Sequence, residues 1–455
     1  MFTKKMFLAY LCAMSFSVMA HSQAKYVFYF IGDGMGLGHV AATEYYKNKI
    51  LGDSQPLLMS TFPSATFCYT YSDSSPITDS AAAGTALACG HKTKNGHAGL
   101  SSDSTICYKS VATVLKDNGW GVGIVTSVSV DDATPAAFYA HQPSRNMYKE
   151  ITADAVKSGF NFFAGSGFHS GGKKYYSADV KRQFENAGFG FFQNGDSALN
   201  YKGDQVVVIS ETPNYHIGHA IDTLKNMSLA EMTAIGIKRL EKQSPDRFFM
   251  MIEGGNIDYA GHATDGSTII KEIINFQDAI RHAYEFYLKH PDETLIVITA
   301  DHDTSGFTIG HRKGNPKYID AQRISKYMFG VMCQQLYASQ APVAWNDMKR
   351  ILTDKLGFWS IIPLTDKETE TLENLYQQVF KMREAQEEKG LYQSFDKFAA
   401  TVFEIFAKHA GYDYIIDYHI GSPVPVYSIG VGSEKFKGVL DNTDIPKLIL
   451  QSTKE

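Results

Sequence analysis

The chain has 455 residues, of which 44% are hydrophobic and 20% are charged, so it can bury a large core and is not disordered as a whole. This length allows one large domain or two ordinary ones. The 43 Lys and Arg residues against 48 Asp and Glu residues give a formal net charge of -5. That balance argues against a dedicated binder of nucleic acids or of anionic membranes, so we expect no nucleic-acid partner.

The first residues of the chain follow the pattern of an export signal. Lys4 and Lys5 form a short basic region, and the apolar stretch 6–20 is too short to span a bilayer comfortably. Small residues favour cleavage after Ala20 or Ala24. The alternative interpretation is an anchor that is not cleaved.

We therefore predict a signal peptide at residues 1–24 and a mature chain at residues 25–455. The protein is expected to be exported, either periplasmic or secreted, and the mature chain is expected to have no membrane span. An oxidising compartment permits disulfides, but the sequence does not choose among the three full pairings of its four mature cysteines. These are Cys68, Cys89, Cys107 and Cys333.

Short apolar runs of the chain are typical of buried parallel strands, and helical patterns separate them. Ser228, followed three residues later by Glu231, predicts a capping box that opens one of these helices. Alternation of strands and helices predicts an α/β fold, a three-layer α/β/α sandwich around a mostly parallel sheet. The predicted strands are Tyr26–Ile31, Gly121–Ser127, Gln205–Ile209, Arg247–Ile252, Thr294–Thr299 and Val424–Ile429.

The run 321–411 differs from the rest of the chain because it is helical in pattern and rich in charge. Leu372, Leu375 and Val379 share one helix face within it. We interpret the run as a helical insertion on the α/β body. It contains His409 but no cluster at metal-ligand spacing, so we expect it to cover the site entrance rather than to supply ligands.

Polar residues follow the predicted strands at the points where the strands end. In open α/β sheets, ligands bind at the carboxyl ends of the strands, so these side chains are expected to converge. Several carboxylates buried together without partners would each cost several kcal/mol, which bound cations would offset. The residues are Asp33, Asp132, Thr134, Glu253, Asp301 and His302.

Two further pairs carry the spacing of metal ligands. Asp258 and His262 lie four residues apart, so a helix would place them on one face, although an exposed pair is the simpler interpretation. Asp301 and His302 are adjacent, and the end of a strand can bring both to one ion. A mixed set of nitrogen and oxygen ligands suits zinc. An all-oxygen set suits magnesium, and the candidates are Asp33, Thr134 and Glu253.

Ser80 and Arg145 are candidates for the chemistry itself. Ser80 begins an Ala-rich run that favours a helix, so it is either an N-cap or a nucleophile activated by a metal beside the helix N-terminus. Arg145 follows Asp132 by thirteen residues, and its guanidinium fork suits two phosphate oxygens. The alternative for Arg145 is an ordinary surface arginine.

Taken together, these segments resemble the alkaline phosphatase family. The matching pieces occur in family order from about residue 25 to residue 450, and the ordered set is far more specific than any one piece. They are 31–36 (IGDGMG), 78–85 (TDSAAAGT), 132–137 (DATPAA) with Arg145, 253–258 (EGGNID) with His262, 299–302 (TADH) and 419–426 (HIGSPVPV).

The resemblance implies ligands for two Zn²⁺ and one Mg²⁺. Asp33 would bridge the second zinc and the magnesium, and Asp132 would act on the magnesium through a water. The implied ligands are Asp258, His262 and His419 for the first zinc; Asp33, Asp301 and His302 for the second; and Asp33, Thr134, Glu253 and Asp132 for the magnesium.

The resemblance also implies hydrolysis of small phosphate monoesters, with Ser80 as the nucleophile that forms a phosphoserine and Arg145 as the residue that binds phosphate. Well-known members carry Lys or His where this chain has Tyr259, so we expect Tyr259 to line the site as a neutral substitute, or else to pack in the interior. The alternatives for function are a phosphodiesterase of the same superfamily and a phosphate-binding protein without catalysis. A homodimer is compatible with the resemblance.

Overall fold

The computed structural model describes residues 23–212, 214, 216–222, 226–310, 313–339, 344–382 and 397–454. Residues 1–22, which make up most of the predicted signal peptide, lie outside the described residues, so the prediction of export stays a prediction. Within the described residues Cys68, Cys89 and Cys107 are free thiols, and Cys107 is the exposed one among these three.

A ten-stranded sheet forms the centre of the molecule, in the order β14-β2-β13-β8-β1-β7-β3-β4-β6-β5, and two short two-stranded ribbons, β10-β11 and β12-β9, lie outside it. The strands are β1 Tyr26–Ile31, β2 Ser64–Tyr69, β3 Gly121–Thr126, β4 Phe162–Gly165, β5 Gly190–Phe192, β6 Val206–Ile209, β7 Phe248–Glu253, β8 Thr294–Thr299, β9 Asp303–Thr304, β10 Thr308–Ile309, β11 Tyr412–Asp413, β12 His419–Ile420, β13 Val424–Gly430 and β14 Val439–Asp441.

The sheet is mostly parallel, as the sequence predicts, but one predicted strand runs the other way. The run Val424–Ile429 was expected to be parallel, whereas β13 pairs antiparallel with both β8 and β2. The apolar residues of β13 would be buried between two neighbouring strands whichever way β13 ran. Burial alone therefore does not reveal strand direction. Among the described strands of this sheet, β13 is the exception.

Alternate side chains of β1 build the two apolar layers of the sandwich. Phe28 and Phe30 pack against Phe286 and Phe276, with ring centroids 5.5 and 5.8 Å apart. Tyr29 points to the opposite face, where its hydroxyl donates to the carbonyl of Leu87 at 3.3 Å. Because successive side chains of a strand alternate between faces, these contacts place helices on both sides of the sheet. The three-layer α/β/α fold is thereby confirmed.

Helices cover both faces of the sheet and extend beyond it. The predicted capping box is present at the start of α8, where Ser228 and Glu231 satisfy each other's backbone N–H groups. None of the helices within the described ranges is both long enough and apolar enough to cross a membrane. The helices are α1 Leu37–Tyr45, α2 Ser80–Cys89, α3 Val111–Asp117, α4 Ala133–Ala136, α5 Tyr148–Lys157, α6 Ala178–Asn186, α7 Gly195–Asn200, α8 Leu229–Gln243, α9 Asn256–His262, α10 Gly266–Lys289, α11 Lys326–Ser339, α12 Trp345–Leu356, α13 Asp366–Tyr376, α14 Lys397–Ala410 and α15 Asp444–Ser452.

The described part of the run 321–411, here called the helical segment, contains α11 to α14. Its own aromatic side chains pack together: Phe329 lies 6.3 Å from Phe398 and 5.8 Å from Phe403, measured between ring centroids. All three side chains are buried. The helical content agrees with the sequence pattern, while the status of the segment as an insertion on a catalytic domain stays a prediction.

Candidate metal centre and active site

The register of the four central strands brings their carboxyl ends to one level. Ile31 at the end of β1 lies beside Glu253 of β7 and beside Thr299 of β8, and Glu253 lies beside Thr126 of β3. The loops that follow these strands therefore start side by side. This alignment explains why the polar residues after the strands meet at one edge of the sheet.

The loop after β1 approaches its neighbours so closely that Gly34 is required. Gly34 has a φ of +73°, and a Cβ at this position would lie 2.7 Å from Thr304 Oγ1 and 3.0 Å from Asp258 Cα. A residue with a side chain would be strained here and would push these groups away. The glycine after Asp33 thus lets the loop lie against the helix that carries Asp258.

A histidine-rich cluster lies beside this loop. Helix α9 places Asp258 and His262 on one face, and the ribbon of β12 with β9 brings in His419. The Nε2 atoms of His262 and His419 lie 3.1 Å apart, and they lie 3.4 and 3.6 Å from Asp258 Oδ1. Three donor atoms therefore face one point, as the ligands of a metal ion would.

The outer nitrogens of the two imidazoles fix which ring atoms face this point. His262 Nδ1 lies 3.0 Å from the carbonyl oxygen of Asp417, and His419 Nδ1 lies 2.9 Å from that of Thr78. A carbonyl accepts, so each Nδ1 is assigned as the protonated donor and each Nε2 keeps its lone pair. Burial also lowers the pKa of His419, which favours the neutral form that binds metals.

A second cluster surrounds His302. Its Nε2 lies 3.0 Å from Ser80 Oγ, 3.2 Å from Asp301 Oδ2 and 3.5 Å from Asp33 Oδ1. Burial, together with the neighbouring histidines, lowers the pKa of His302 well below its ordinary value. A neutral imidazole, two carboxylates and a serine hydroxyl therefore share one buried point.

Asp33 also adjoins a set of oxygen donors. Glu253 accepts a hydrogen bond from Thr126 and is buried, as is Thr134 on α4. Burial raises the pKa of Asp33 well above its ordinary value, that of Glu253 to about 8 and that of Asp301 to about 7. Nearby carboxylates also contribute to these raised pKa values, because like charges oppose ionisation.

Some buried polar atoms of these clusters have no hydrogen-bond partner within the described part of the chain. Asp33 Oδ1, Thr134 Oγ1 and Asp301 Oδ2 have no hydrogen-bond partner among the described residues. Buried polar atoms are normally satisfied, so such a group of exceptions needs an explanation. Cations bound by oxygen and imidazole donors would satisfy all of them. The residues present therefore fit metal ions.

Ser80 lies in the first turn of α2, but it is not the N-cap. The N-cap is Asp79, whose side chain accepts from the backbone N–H of Ala82 at 3.0 Å. The N-cap interpretation of Ser80 is therefore wrong, because the preceding carboxylate already satisfies the end of the helix. The Ser80 hydroxyl instead faces His302, beside the positive end of the helix.

Arg145 reaches the same edge of the sheet, so the interpretation of an ordinary surface arginine is wrong. Its Nη2 lies 3.2 Å from Asp132 Oδ1 and its Nη1 lies 3.5 Å from Asp79 Oδ2, with 22% of the side chain exposed. Tyr259 is buried, and its hydroxyl donates to Asp132 Oδ2 at 2.8 Å. Tyr259 is thus bound to the carboxylate next to Arg145, and its direct contact with phosphate stays a prediction.

Sequence reasoning missed two residues of this site. Thr304 Oγ1 lies 2.5 Å from Asp258 Oδ1 and 3.2 Å from His302 Nδ1, so it connects both clusters. Its position two residues after His302, in the same loop, was an available signal. His169 lies beside Asp132. It follows β4, a strand of four residues that the sequence pattern did not reveal, so no signal pointed to it.

Comparison with known proteins agrees with this architecture. The family model described as alkaline phosphatase matches residues 24–454. Alkaline phosphatase 4 of Bacillus subtilis (strain 168) is 30% identical over 444 residues, covering 95% of this chain and 89% of that protein. The human tissue-nonspecific alkaline phosphatase isozyme is 29% identical over 346 residues, covering 63% of this chain and 64% of that protein.

Solved structures resemble the chain over almost its whole length. The cold-active alkaline phosphatase of a psychrophilic Shewanella sp. superposes with a TM-score of 0.79 at 25% identity, covering 94% of this chain and 100% of that one. A TAB5 alkaline phosphatase variant with Mg bound has a TM-score of 0.65 at 25% identity, covering 95% and 98%. The matches extend across the α/β body and the edge of the sheet that holds the clusters. The chain therefore belongs to the alkaline phosphatase family and is a phosphatase.

Proposed function

We propose that the protein hydrolyses small phosphate monoesters to an alcohol and inorganic phosphate through a phosphoserine on Ser80. One observation carries the proposal: Ser80 Oγ lies 3.0 Å from His302 Nε2, the same nitrogen that faces Asp33 and Asp301. The hydroxyl thus lies next to the donors proposed to bind a cation and beside a helix N-terminus, which supports its role as the nucleophile. Relatives of this chain that are named alkaline phosphatases support the same activity.

Two Zn²⁺ and one Mg²⁺ are proposed as the cations. When bound, they would act as Lewis acids that lower the pKa of the serine hydroxyl and of water and neutralise charge on phosphate oxygens. The mixed donors suit zinc and the oxygen donors suit magnesium. The proposed ligands are Asp258, His262 and His419 for one zinc; Asp33, Asp301 and His302 for the other; and Asp33, Thr134, Glu253 and, through water, Asp132 for magnesium.

Arg145 and Ser80 have separate roles in the proposed reaction. Arg145 binds two phosphate oxygens and orients the phosphorus toward Ser80. Ser80 gives its proton to solvent water, its Oγ attacks the phosphorus in line, and the bond from phosphorus to the alcohol oxygen breaks, with the alcohol leaving as it takes up a proton from water. A second water molecule then loses a proton and attacks the phosphorus from the vacated side, the bond to Ser80 Oγ breaks, and Ser80 Oγ takes back a proton as phosphate is released. Two inversions give net retention at phosphorus.

The experiment compares hydrolysis of p-nitrophenyl phosphate with that of its bis ester, together with metal analysis of the same preparation. The proposal predicts much faster hydrolysis of the monoester and close to two zinc ions and one magnesium ion per chain. Preference for the diester would instead support the phosphodiesterase alternative. Phosphate binding without hydrolysis of either ester would support the binding protein.

We also propose that the protein is exported to the periplasm or secreted. The basic and apolar pattern of residues 1–24 supports this. Fractionation of the producing cells, with mass spectrometry of the mature N-terminus, tests it: an N-terminus that still begins at Met1 in a cytoplasmic fraction would contradict export. Light scattering of the purified protein tests whether it forms the homodimer with which the family resemblance is compatible.

A further inference from the structure

His169 lies beside Asp132, in the segment that follows β4. Its backbone N–H donates to Asp131 Oδ1 at 2.7 Å, and the next backbone N–H, of Ser170, donates to Asp131 Oδ2 at 2.9 Å. Asp131 is fully buried and also accepts from Thr152. The buried carboxylate of Asp131 thus fixes the position of the His169 backbone.

Two tyrosines hold the imidazole ring in place. Tyr148 stacks on it at 4.4 Å between centroids with an interplanar angle of 23°, and Tyr175 meets its edge at 5.2 Å. The side chain of His169 is 15% exposed. Aromatic contacts on two sides restrict the rotamers of a ring. The orientation of His169 is therefore determined before any substrate binds.

The oriented ring faces a carboxylate that other donors already share. Asp132 Oδ1 accepts from the backbone N–H of Ala133 at 2.7 Å and from Arg145 at 3.2 Å. Asp132 Oδ2 accepts from the Tyr259 hydroxyl at 2.8 Å and lies 3.5 Å from His169 Nε2. Arg145 therefore contacts Oδ1 of Asp132, whereas Tyr259 and His169 contact Oδ2 of the same carboxylate.

We propose that His169 is a positioning residue for phosphate: its Nε2 faces Asp132 Oδ2, so that this carboxylate does not draw Arg145 away from the substrate. The inference rests on the proposed function, because it assigns Arg145 to phosphate. The contacts of Arg145 with Asp132 and Asp79, at 3.2 and 3.5 Å, are longer than the 2.7–2.9 Å of a tight charged pair.

Loss of His169 Nε2 would affect phosphate binding in two ways. The Asp132 carboxylate would have fewer donors, so it would attract Arg145 more strongly. It would also present more uncompensated negative charge to a phosphate dianion nearby. Both effects weaken phosphate binding, and neither removes the nucleophile or a proposed zinc ligand.

The test removes the imidazole nitrogens of His169 but keeps an aromatic ring at this position. His169→Phe retains stacking on Tyr148 and removes the donor, whereas His169→Gln restores an amide donor. His91→Phe is the matched control, because His91 stacks on Tyr108 at 4.3 Å and 14°. Titration calorimetry with inorganic phosphate on the metal-loaded proteins measures binding without turnover, and p-nitrophenyl phosphate gives kcat and KM.

His169→Phe should weaken phosphate binding and raise KM by roughly five- to tenfold, because one contact of 3.5 Å with the Asp132 carboxylate is lost, with kcat changed less than twofold. His169→Gln should recover much of the loss, and His91→Phe should match the wild type. In an Asp132→Asn background, His169→Phe should have little further effect. Unchanged phosphate affinity in a folded, fully metallated His169→Phe protein would overturn the inference. Absence of monoester hydrolysis by the wild type would instead overturn the proposed function, since calorimetry still measures the role of His169.

Discussion

The edge of the sheet that carries the proposed metal ligands and the helical segment are stabilised in opposite ways. At the edge, Asp33, Glu253 and Asp301 are buried together with raised pKa values, so ionisation there is unfavourable without cations. In the helical segment, Phe329 and Phe403 are buried against each other. One region needs a ligand to be stable when charged, whereas burial of apolar side chains contributes to the stability of the other without any ligand.

This difference separates function from stability within one chain. Changes at the edge should alter turnover and metal content, whereas changes in the helical segment should alter the free energy of unfolding and leave the metals in place.

Ser80→Ala should have the largest effect on turnover. Removing the nucleophile should lower kcat for p-nitrophenyl phosphate by roughly 10³-fold or more and abolish the trapped phosphoserine. Zinc content should stay at the wild-type level, since His302, Asp301 and Asp33 remain. Rapid-quench mass spectrometry and metal analysis measure both. A near-normal rate would rule out Ser80 as the nucleophile.

His419→Ala should weaken the proposed zinc site of His419, Asp258 and His262, although His419 lies more than 150 positions from the other two residues in the chain. Losing one ligand should reduce zinc affinity by more than about 100-fold and lower turnover with it. Competition with a chromophoric chelator measures the affinity. Retention of two tightly bound zinc ions would show that His419 is not a ligand.

Removing the metals should destabilise the protein, and more strongly at high pH. Because the folded-state pKa values of Asp301 and Glu253 are raised, to about 7 and about 8, their contribution to stability is present at acidic pH and is lost as the pH rises through these values. The difference in Tm between metal-loaded and chelated protein should therefore widen from pH 6.5 to pH 8.5. Calorimetry at both values tests this, and a constant or shrinking difference would contradict it.

Phe403→Ala should leave a cavity in the helical segment. The ring is buried against Phe329, so truncation should cost about 3–5 kcal/mol of local stability. Hydrogen exchange of α11 and α14 should rise, while zinc and magnesium contents stay unchanged. Loss of a metal from this variant would mean that the two regions depend on each other.

His409→Ala should have the smallest effect. His409 Nε2 lies 3.1 Å from Glu368 Oε2 within the helical segment, and Lys408 contacts the same carboxylate. Partly exposed pairs of this kind contribute about 1 kcal/mol or less. Metal content and kcat should match the wild type, as measured by elemental analysis and steady-state kinetics. Loss of one zinc would refute the view that this segment supplies no ligands.

The sequence pattern predicted the long, fully buried strands of the sheet well and missed strands that are short or only partly buried. The bounds of β1 and β8 agree with the prediction, because continuous apolar runs are the signature of strands buried on both faces. The pattern missed β2, which is only partly buried, and the short strands β4 and β5. Three or four residues are too few to show a period, so these strands are recognisable only from their pairing partners.

The order of motifs along the chain was enough to nominate Ser80, Arg145 and the proposed metal ligands, because the ordered set resembles that of one family. Their spatial relations were decided by tertiary structure. Strand register placed Glu253 beside Thr126, and the β12 ribbon placed His419 beside His262. The position of His169 beside Asp132 became apparent only from the structure. Local sequence specifies which groups follow a strand, but contacts between distant segments depend on strand order and register, which no local pattern encodes.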